Sequence, residues 1–260
     1  MKELFELRGQ LKPRTGVTIE IVGFILFIAL WQTLSIIINS PAILPSPLTV
    51  LYSFKTLHFE DYLLINTWHS IKLNYLGYLE AVALALPLGI IIGLFPIFNK
   101  LSSKYIDAIR FIPLTTVTGL FIAWFGIETT MKVQFLAFGI FVYLLPVVVQ
   151  RTAETERVYE QTAYTLGATK WQTIKSVFIP DVLSKVSDDI RVLVAISWTY
   201  IIVAELVNQS GGIGAIIFKA ARQSHLEKVF AILIVIILIG FLQDKVFKWL
   251  DKKIFPHKYI

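Results

Sequence analysis

The sequence predicts an all-α membrane protein of six transmembrane helices with both termini in the cytoplasm. Three observations lead there. Of 260 residues, 56% are hydrophobic and only 16% charged, with a mean hydropathy of +0.70, which leaves too little polar surface to cover a water-soluble globule of this size. Apolar runs recur at close to the ~20 residues needed to cross a hydrocarbon core. Lys and Arg gather in alternate connecting segments, the pattern of chains whose positive loops stay cytoplasmic.

The elements follow in order. The first apolar run, about Val17 to Asn39, is preceded by Lys2, Arg8, Lys12 and Arg14; it is too long for a signal-peptide core and lacks a small-residue cleavage site, so it reads as a mature helix. Ser40 to Pro47 holds Pro41, Pro45 and Pro47 and reads as a turn outside the membrane. A short amphipathic piece follows, about Leu48 to Leu57. The second span, Ile71 to Phe95, carries Gly77, Pro87, Gly89 and Gly93 as places to bend, with Glu80 among apolar neighbours. The third runs from Tyr105 to Phe125 with Pro113 near its start, the fourth from Val133 to Gln150, the fifth from Ile190 to Val207 and the sixth from Val229 to Phe247.

With the N-terminus inside, the cytoplasmic segments collect the four N-terminal cations, then Lys100, Lys104 and Arg110, then Arg151, Arg157, Lys170, Lys175, Lys185 and Arg191, and finally Lys245, Lys248, Lys252, Lys253 and Lys258. Lys55, Lys72, Lys132, Lys219, Arg222 and Lys228 fall outside, so the bias is threefold. The net charge of +6 is thus explained by topology. The cations lie at helix ends, with no compact stripe or interleaved aromatics to suggest a nucleic-acid partner.

The polar segment from Glu160 to Pro180 interrupts this oily chain on the cytoplasmic side. Arg157 to Leu166 contains no helix breaker, Gly167 permits the left-handed turn that ends a helix, and a second helical piece begins near Thr169. Trp171, Ile174, Val177 and Phe178 share an apolar face, and Pro180 stops or kinks that piece. Two short amphipathic helices joined at a glycine are expected across the cytoplasmic end of the bundle. On pattern alone they could equally be a membrane-surface cap that contacts nothing else.

This segment resembles the coupling loop of ATP-binding-cassette importer permeases, whose pattern is E-A-A-x3-G-x9-I-x-L-P. Aligned on Gly167, the chain supplies Gln161-Thr162-Ala163, Gly167, Val177, Ile179 and Pro180 at every interval. Gln161 and Thr162 replace the usual Glu and Ala, and Glu160, one residue earlier, points about 100° away on a helix. Leu44-Pro45-Ser46-Pro47, Trp124-Phe125-Gly126-Ile127, Val203-Ala204-Glu205-Leu206 and Gly211-Gly212-Ile213-Gly214 are similar to landmarks of the nitrate, sulfonate, taurine and bicarbonate branch.

The resemblance implies a type I, binding-protein-dependent importer permease in the plasma (inner) membrane of a prokaryote. Residues 1–43 would be a cytoplasmic N-terminus and first transmembrane helix, and residues 44–260 a five-helix core with its coupling loop at 151–187. The implied partners are a second copy of the chain or a homologous permease, two cytoplasmic ATPase subunits that use ATP and Mg, an extracytoplasmic substrate-binding protein and the lipid bilayer. Coupling falls to Glu160, Gln161, Thr162, Ala163, Leu166, Gly167, Ala168, Lys170, Trp171, Ile179 and Pro180, with Leu166 and Trp171 as apolar contacts and Lys170 as a charged one. The implied cargo is nitrate, an aliphatic sulfonate, taurine or bicarbonate; a thiamine precursor or another small organic solute is the alternative.

The chain itself has no G-x-x-x-x-G-K-[ST] phosphate loop, so nucleotide chemistry belongs to other subunits. Gly211-Gly212-Ile213-Gly214 reads as a bend or re-entrant loop at the external mouth. Cysteine is absent and His58, His69, His225 and His257 are scattered, so no metal or cofactor site is expected on this chain. An intramembrane enzyme would need a catalytic set at one depth, and none is evident; a channel or scaffold is opposed by the coupling-loop spacing. For the translocation pathway the sequence offers Thr115, Thr116, Thr118, Ser197, Trp198 and Thr199, whose donors suit an anion, although small hydroxyl residues also pack helices together. Glu80 and Glu205 lie inside predicted spans and either line the passage or are satisfied locally, Glu80 by Lys72, Tyr75 or Tyr78. Asp188, Asp189 and Arg191 are expected to anchor the end of the fifth span.

Overall fold

The computed structural model describes residues 12–207 and 209–259, and these form helices with no strand among them. Lys2 and Arg8 of the charge count lie outside the described residues. In chain order the helices are α1 (Pro13–Ile38), α2 (Pro47–Phe59), α3 (Leu63–Leu94), α4 (Pro96–Ile109), α5 (Leu114–Phe125), α6 (Thr129–Ala153), α7 (Arg157–Thr165), α8 (Lys170–Thr173), α9 (Ile179–Val207), α10 (Ile213–Arg222) and α11 (Leu226–Ile254). A π turn, Ile174–Phe178, joins α8 to α9.

Among the described residues, five helical runs are long and apolar enough to cross a membrane: α1, α3, α6, Lys170–Val207 and α11. The sixth candidate corrects the sequence reading. Tyr105 to Phe125 is not one helix, because α4 and α5 meet at 105°. Pro113 has no N–H to continue α4 and disfavours helical backbone at the residue before it; it becomes the extended N-cap of α5.

The chain forms two compact units. The first comprises the described residues up to Asp61 together with Lys219–Leu233. Its Leu44-Pro45-Ser46-Pro47 turn is held by two side chains of α1: Trp31 donates its indole N–H to the Pro45 carbonyl at 2.9 Å and Ser35 its hydroxyl to that of Leu44 at 3.0 Å. Ser46 caps α2 by accepting from the Thr49 N–H, and Pro47 takes the first helical position, where a missing N–H costs nothing. Trp31 also stacks on Phe230, with centroids 5.7 Å apart. Asp61 is buried and paired with Lys219 at 3.0 Å and Lys228 at 2.5 Å. Burial alone would raise its pKa, but the two ammonium groups hold the carboxyl below its ordinary range.

The second unit, Tyr62–Phe218 with Ile234 onward, is built on α3, α6 and α9. Gly77, Gly89 and Gly93, expected as bends in the second span, lie within the continuous helix α3 and serve close packing: a Cβ at Gly77 would sit 2.8 Å from the Val133 carbonyl oxygen, and one at Gly93 2.6 Å from Thr152 Cβ. Small residues let two backbones approach where lipid supplies no hydrophobic drive. Glu80 accepts both hydrogen bonds from Gln134 at 2.9 Å, a partner outside the expected set. Asp189 pairs with Arg151, Arg191 with Asp244 and Asp188 with Lys258, tying the start of the fifth predicted span to its surroundings.

Candidate functional site

The α7–α8 hairpin is specified by local chemistry. Helix α7 ends in a two-bond cap: the Ala168 N–H reaches back to the Ala163 carbonyl at 3.0 Å and the Gly167 N–H to that of Tyr164 at 2.9 Å. That geometry requires a left-handed residue, and Gly167 supplies it at φ +81°. Helix α8 begins at once with a reciprocal cap in which Thr169 N–H donates to Gln172 Oε1 at 2.8 Å and Gln172 N–H to Thr169 Oγ1 at 3.4 Å. The T-x-x-Q signal was present in the sequence and marks the helix start more sharply than the glycine alone.

Pro180 does not stop the second helix. The backbone from Lys170 to Val207 is continuous, and the π turn just before Pro180 carries the bond from Ile179 N–H to the Ile174 carbonyl. One extra residue in that turn makes room for a proline that can neither donate nor tolerate a normal preceding turn.

The hairpin stands on a clamped base. Arg151 grips Asp189 through two bonds, at 2.8 and 3.0 Å, and Glu154 through one at 2.9 Å. Hydrogen bonding to Arg151, then to Gln150, keeps the Glu154 carboxyl below its ordinary pKa. Thr155 Oγ1 donates to Asp181 at 2.7 Å, and Lys185 bonds Asp181 at 2.7 Å and the Glu154 carbonyl at 3.1 Å. Sequence reasoning gave Arg151 and Lys185 only a topological role and did not single out Thr155 or Asp181, because these partners are far apart in the chain.

Above that base the predicted coupling residues divide. Gln161, Thr162, Leu166, Gly167, Lys170, Trp171 and Pro180 are exposed; Glu160, Ala163, Ala168 and Ile179 are half-buried. Leu166 is 82% exposed and Trp171 68%. Glu160 lines a recess of about 520 Å³ with Arg157, Tyr164, Lys170 and Phe95, so it faces inward and does not stand in for the acid that Gln161 replaces. The Thr162 and Thr165 hydroxyls donate to the Val158 and Gln161 carbonyls of their own helix, each at 2.8 Å.

The predicted pathway residues also separate. Ser197 donates to the Val194 carbonyl at 2.6 Å and lies within hydrogen-bond distance, 3.0 Å, of the Asn74 amide; Trp198 donates to Gln243 at 2.7 Å. Thr116 and Thr118 donate to the carbonyls of Pro113 at 2.7 Å and Thr115 at 2.9 Å. Glu205 is fully buried, accepting from Ser70 Oγ at 2.6 Å and from the Gly214 N–H at 2.8 Å. Together with Asn66, which accepts from Gly212 N–H, and Ser70, which accepts from Ile213 N–H, it collects the N–H groups at the start of α10. Gly212 lies at φ +97° directly over the Glu205 carboxylate, where no side chain fits. Lys132, fully buried and within electrostatic reach of Glu205, donates to the Gly211 carbonyl at 3.2 Å. Thr115 and Thr199 share a cavity with Tyr143, Tyr200 and Arg110.

Membrane-length helices and an exposed helical hairpin mounted between two of them define a multi-pass membrane protein. Residues 85–256 match the binding-protein-dependent transport system inner membrane component family, and the chain belongs to that family, the permeases of ATP-binding-cassette importers. It is 33% identical over 240 residues to the putative aliphatic sulfonates transport permease protein SsuC of Bacillus subtilis, covering 87% of this chain and 83% of that one. It is 25% identical over 246 residues to the taurine transport system permease protein TauC of Escherichia coli, covering 92% and 90%. An inward-facing structure of the MetNI methionine ABC transporter shares the fold at a TM-score of 0.65 and 14% identity, over 74% of this chain and 95% of that one.

Proposed function

We propose that this chain forms the translocation pathway of an ATP-driven importer for a small anion such as nitrate, an aliphatic sulfonate, taurine or bicarbonate. It works with a second permease copy, two cytoplasmic ATPase subunits and an extracytoplasmic binding protein; the ATPases bind the ATP and Mg, and this chain is non-catalytic. The supporting observation is the hairpin crest. Leu166 and Trp171, two large apolar side chains, project from a short segment whose base is clamped by ion pairs. An exposed apolar group on a rigid mount suits a protein partner.

In this reading the crest sits in a cleft on the ATPase, and closure of the ATPases pulls on it. Because Arg151 ties the end of α6 to Asp189 of α9, and Thr155 and the Glu154 carbonyl at the foot of the hairpin bond Asp181 and Lys185 of α9, the displacement passes to those helices without being absorbed in the loop. Nucleotide state then biases the bundle between inward- and outward-facing forms, which requires that the crest bind the ATPase differently in the two. Relatives named for aliphatic sulfonates and taurine support an anionic or sulfonate-bearing cargo, with a thiamine precursor as the alternative.

The test is co-purification and uptake. The tagged chain is expected to retain an ATPase subunit, and Gly167→Asp to abolish uptake of the transported anion. Retention of no ATPase together with normal uptake by the variant would refute the reading.

A further inference from the structure

The bend between α4 and α5 places a cation beside the middle of α6. Arg110 was counted with the cytoplasmic loop, yet it lines a cavity of about 390 Å³ together with Thr115, Phe135, Tyr143, Thr199 and Tyr200. Tyr143 is the fifteenth residue of the 25-residue α6, about 21 Å from the start of that helix at 1.5 Å per residue. That is the middle of a membrane-crossing element. A guanidinium stays charged at any physiological pH, and a charge at such depth is costly unless the bundle interior uses it.

The surroundings suit an anion. The ion pair from Arg110 to Asp107 is long, 3.6 Å, and their side chains are 46% and 61% exposed, so the carboxylate does not cover the guanidinium. Tyr143 and Tyr200 stack with centroids 6.4 Å apart and form one wall. Gly139 makes that wall possible, because a Cβ there would come within 2.8 Å of the Tyr200 ring and 2.9 Å of Leu114. Thr115 and Thr199 contribute hydroxyls, and the volume is at the small end of ligand cavities, which run from roughly 300 to 1,000 Å³.

The geometry points to this cavity as the anion-selective station of the pathway, with Arg110 facing the oxyanion or sulfonate group and the tyrosine wall packing its remainder. The inference rests on the reading of the chain as an anion importer and adds the residue that distinguishes anions from neutral solutes. Planar or tetrahedral oxygen triads match the forked donors of arginine better than the point charge of lysine.

The test uses the complete transporter, with its ATPases and binding protein, in proteoliposomes, with nitrate, methanesulfonate, taurine, bicarbonate and a neutral aminopyrimidine as probes. Arg110→Gln is expected to lower uptake of the transported anion by tenfold or more, and Arg110→Lys to retain an intermediate rate. Because this chain contains no cysteine, Arg110→Cys introduces its single thiol. Modification by the cationic aminoethyl methanethiosulfonate should raise uptake at least threefold, modification by the neutral methyl reagent should not, and the transported anion should slow labelling of this chain. That charge-specific rescue separates anion recognition from a folding defect. Equal rescue by both reagents, or undiminished anion uptake by Arg110→Gln, overturns the proposal and leaves the importer reading standing. A wild-type complex that imports the aminopyrimidine and none of the anions overturns the substrate reading, and this proposal with it, before any variant is compared.

Discussion

Replacing Glu205 with Ala removes the carboxylate that accepts from Ser70 Oγ at 2.6 Å and from the Gly214 N–H at 2.8 Å. It also strips the counter-charge from Lys132, whose side chain is fully buried. Hydrogen bonds to charged groups contribute about 1.5–3 kcal/mol each and are not additive within a network; leaving the buried Lys132 ammonium without a nearby opposite charge adds to the loss. The expected loss is therefore about 3–5 kcal/mol, read from unfolding of the purified chain in mixed micelles titrated with SDS. Adding Lys132→Met should recover about 1–3 kcal/mol relative to the sum of the single changes, because the stranded ammonium is then gone. A Glu205→Ala loss below about 1 kcal/mol, or strict additivity with Lys132→Met, would refute the reading that Glu205 and Lys132 together hold the segment leading into α10.

Four further outcomes are expected. Gly167→Val forces a β-branched residue to φ +81° and should destabilise the hairpin by about 1–2 kcal/mol, seen as faster proteolysis between α7 and α8. Leu166→Ser and Trp171→Ala should each weaken ATPase binding by about tenfold, roughly 1.4 kcal/mol, in a titration of purified subunits. Gly89→Leu drives a side chain into Val148 and should cost about 1–3 kcal/mol or more by overpacking α3 against α6, measured by the same SDS titration. Asp61 has its folded pKa depressed, so its contribution is present above the unfolded value near 3.9 and is lost as the pH falls through the lower folded value. Asp61→Asn should lower stability by about 1–3 kcal/mol at neutral pH and flatten the acid limb of the stability profile below about pH 4.

What the sequence could show follows the range of each interaction. The hairpin was legible because its determinants are local: a left-handed glycine after helix-compatible residues and an apolar helical pattern that restarts near Thr169; the Thr169–Gln172 cap was there to be read, whereas the π turn that carries the helix past Pro180 was not. The α4–α5 bend was not, since Pro113 is equally compatible with the first turn of a span and only the three-dimensional path shows α4 leaving the line of α5. Ser197, Trp198 and Glu205 read as pathway candidates because polar atoms in apolar helices invite that reading, yet Asn74, Gln243, Ser70 and Gly214 occupy them from other helices or the next loop. Arg110 was hidden by its position near the start of the predicted third span, where a cation at the cytoplasmic end and one at mid-depth look identical in one dimension.

The central claim, that the α7–α8 crest docks on the ATPase, is tested most directly by cross-linking in the intact membrane. Leu166→Cys, in a chain with no cysteine of its own, is paired with single cysteines along the ATPase cleft. The account predicts a cross-link whose yield changes with ATP, and none from Tyr52→Cys in α2. Equal cross-linking from both positions, or none from Leu166→Cys in a complex that still imports its substrate, would contradict it.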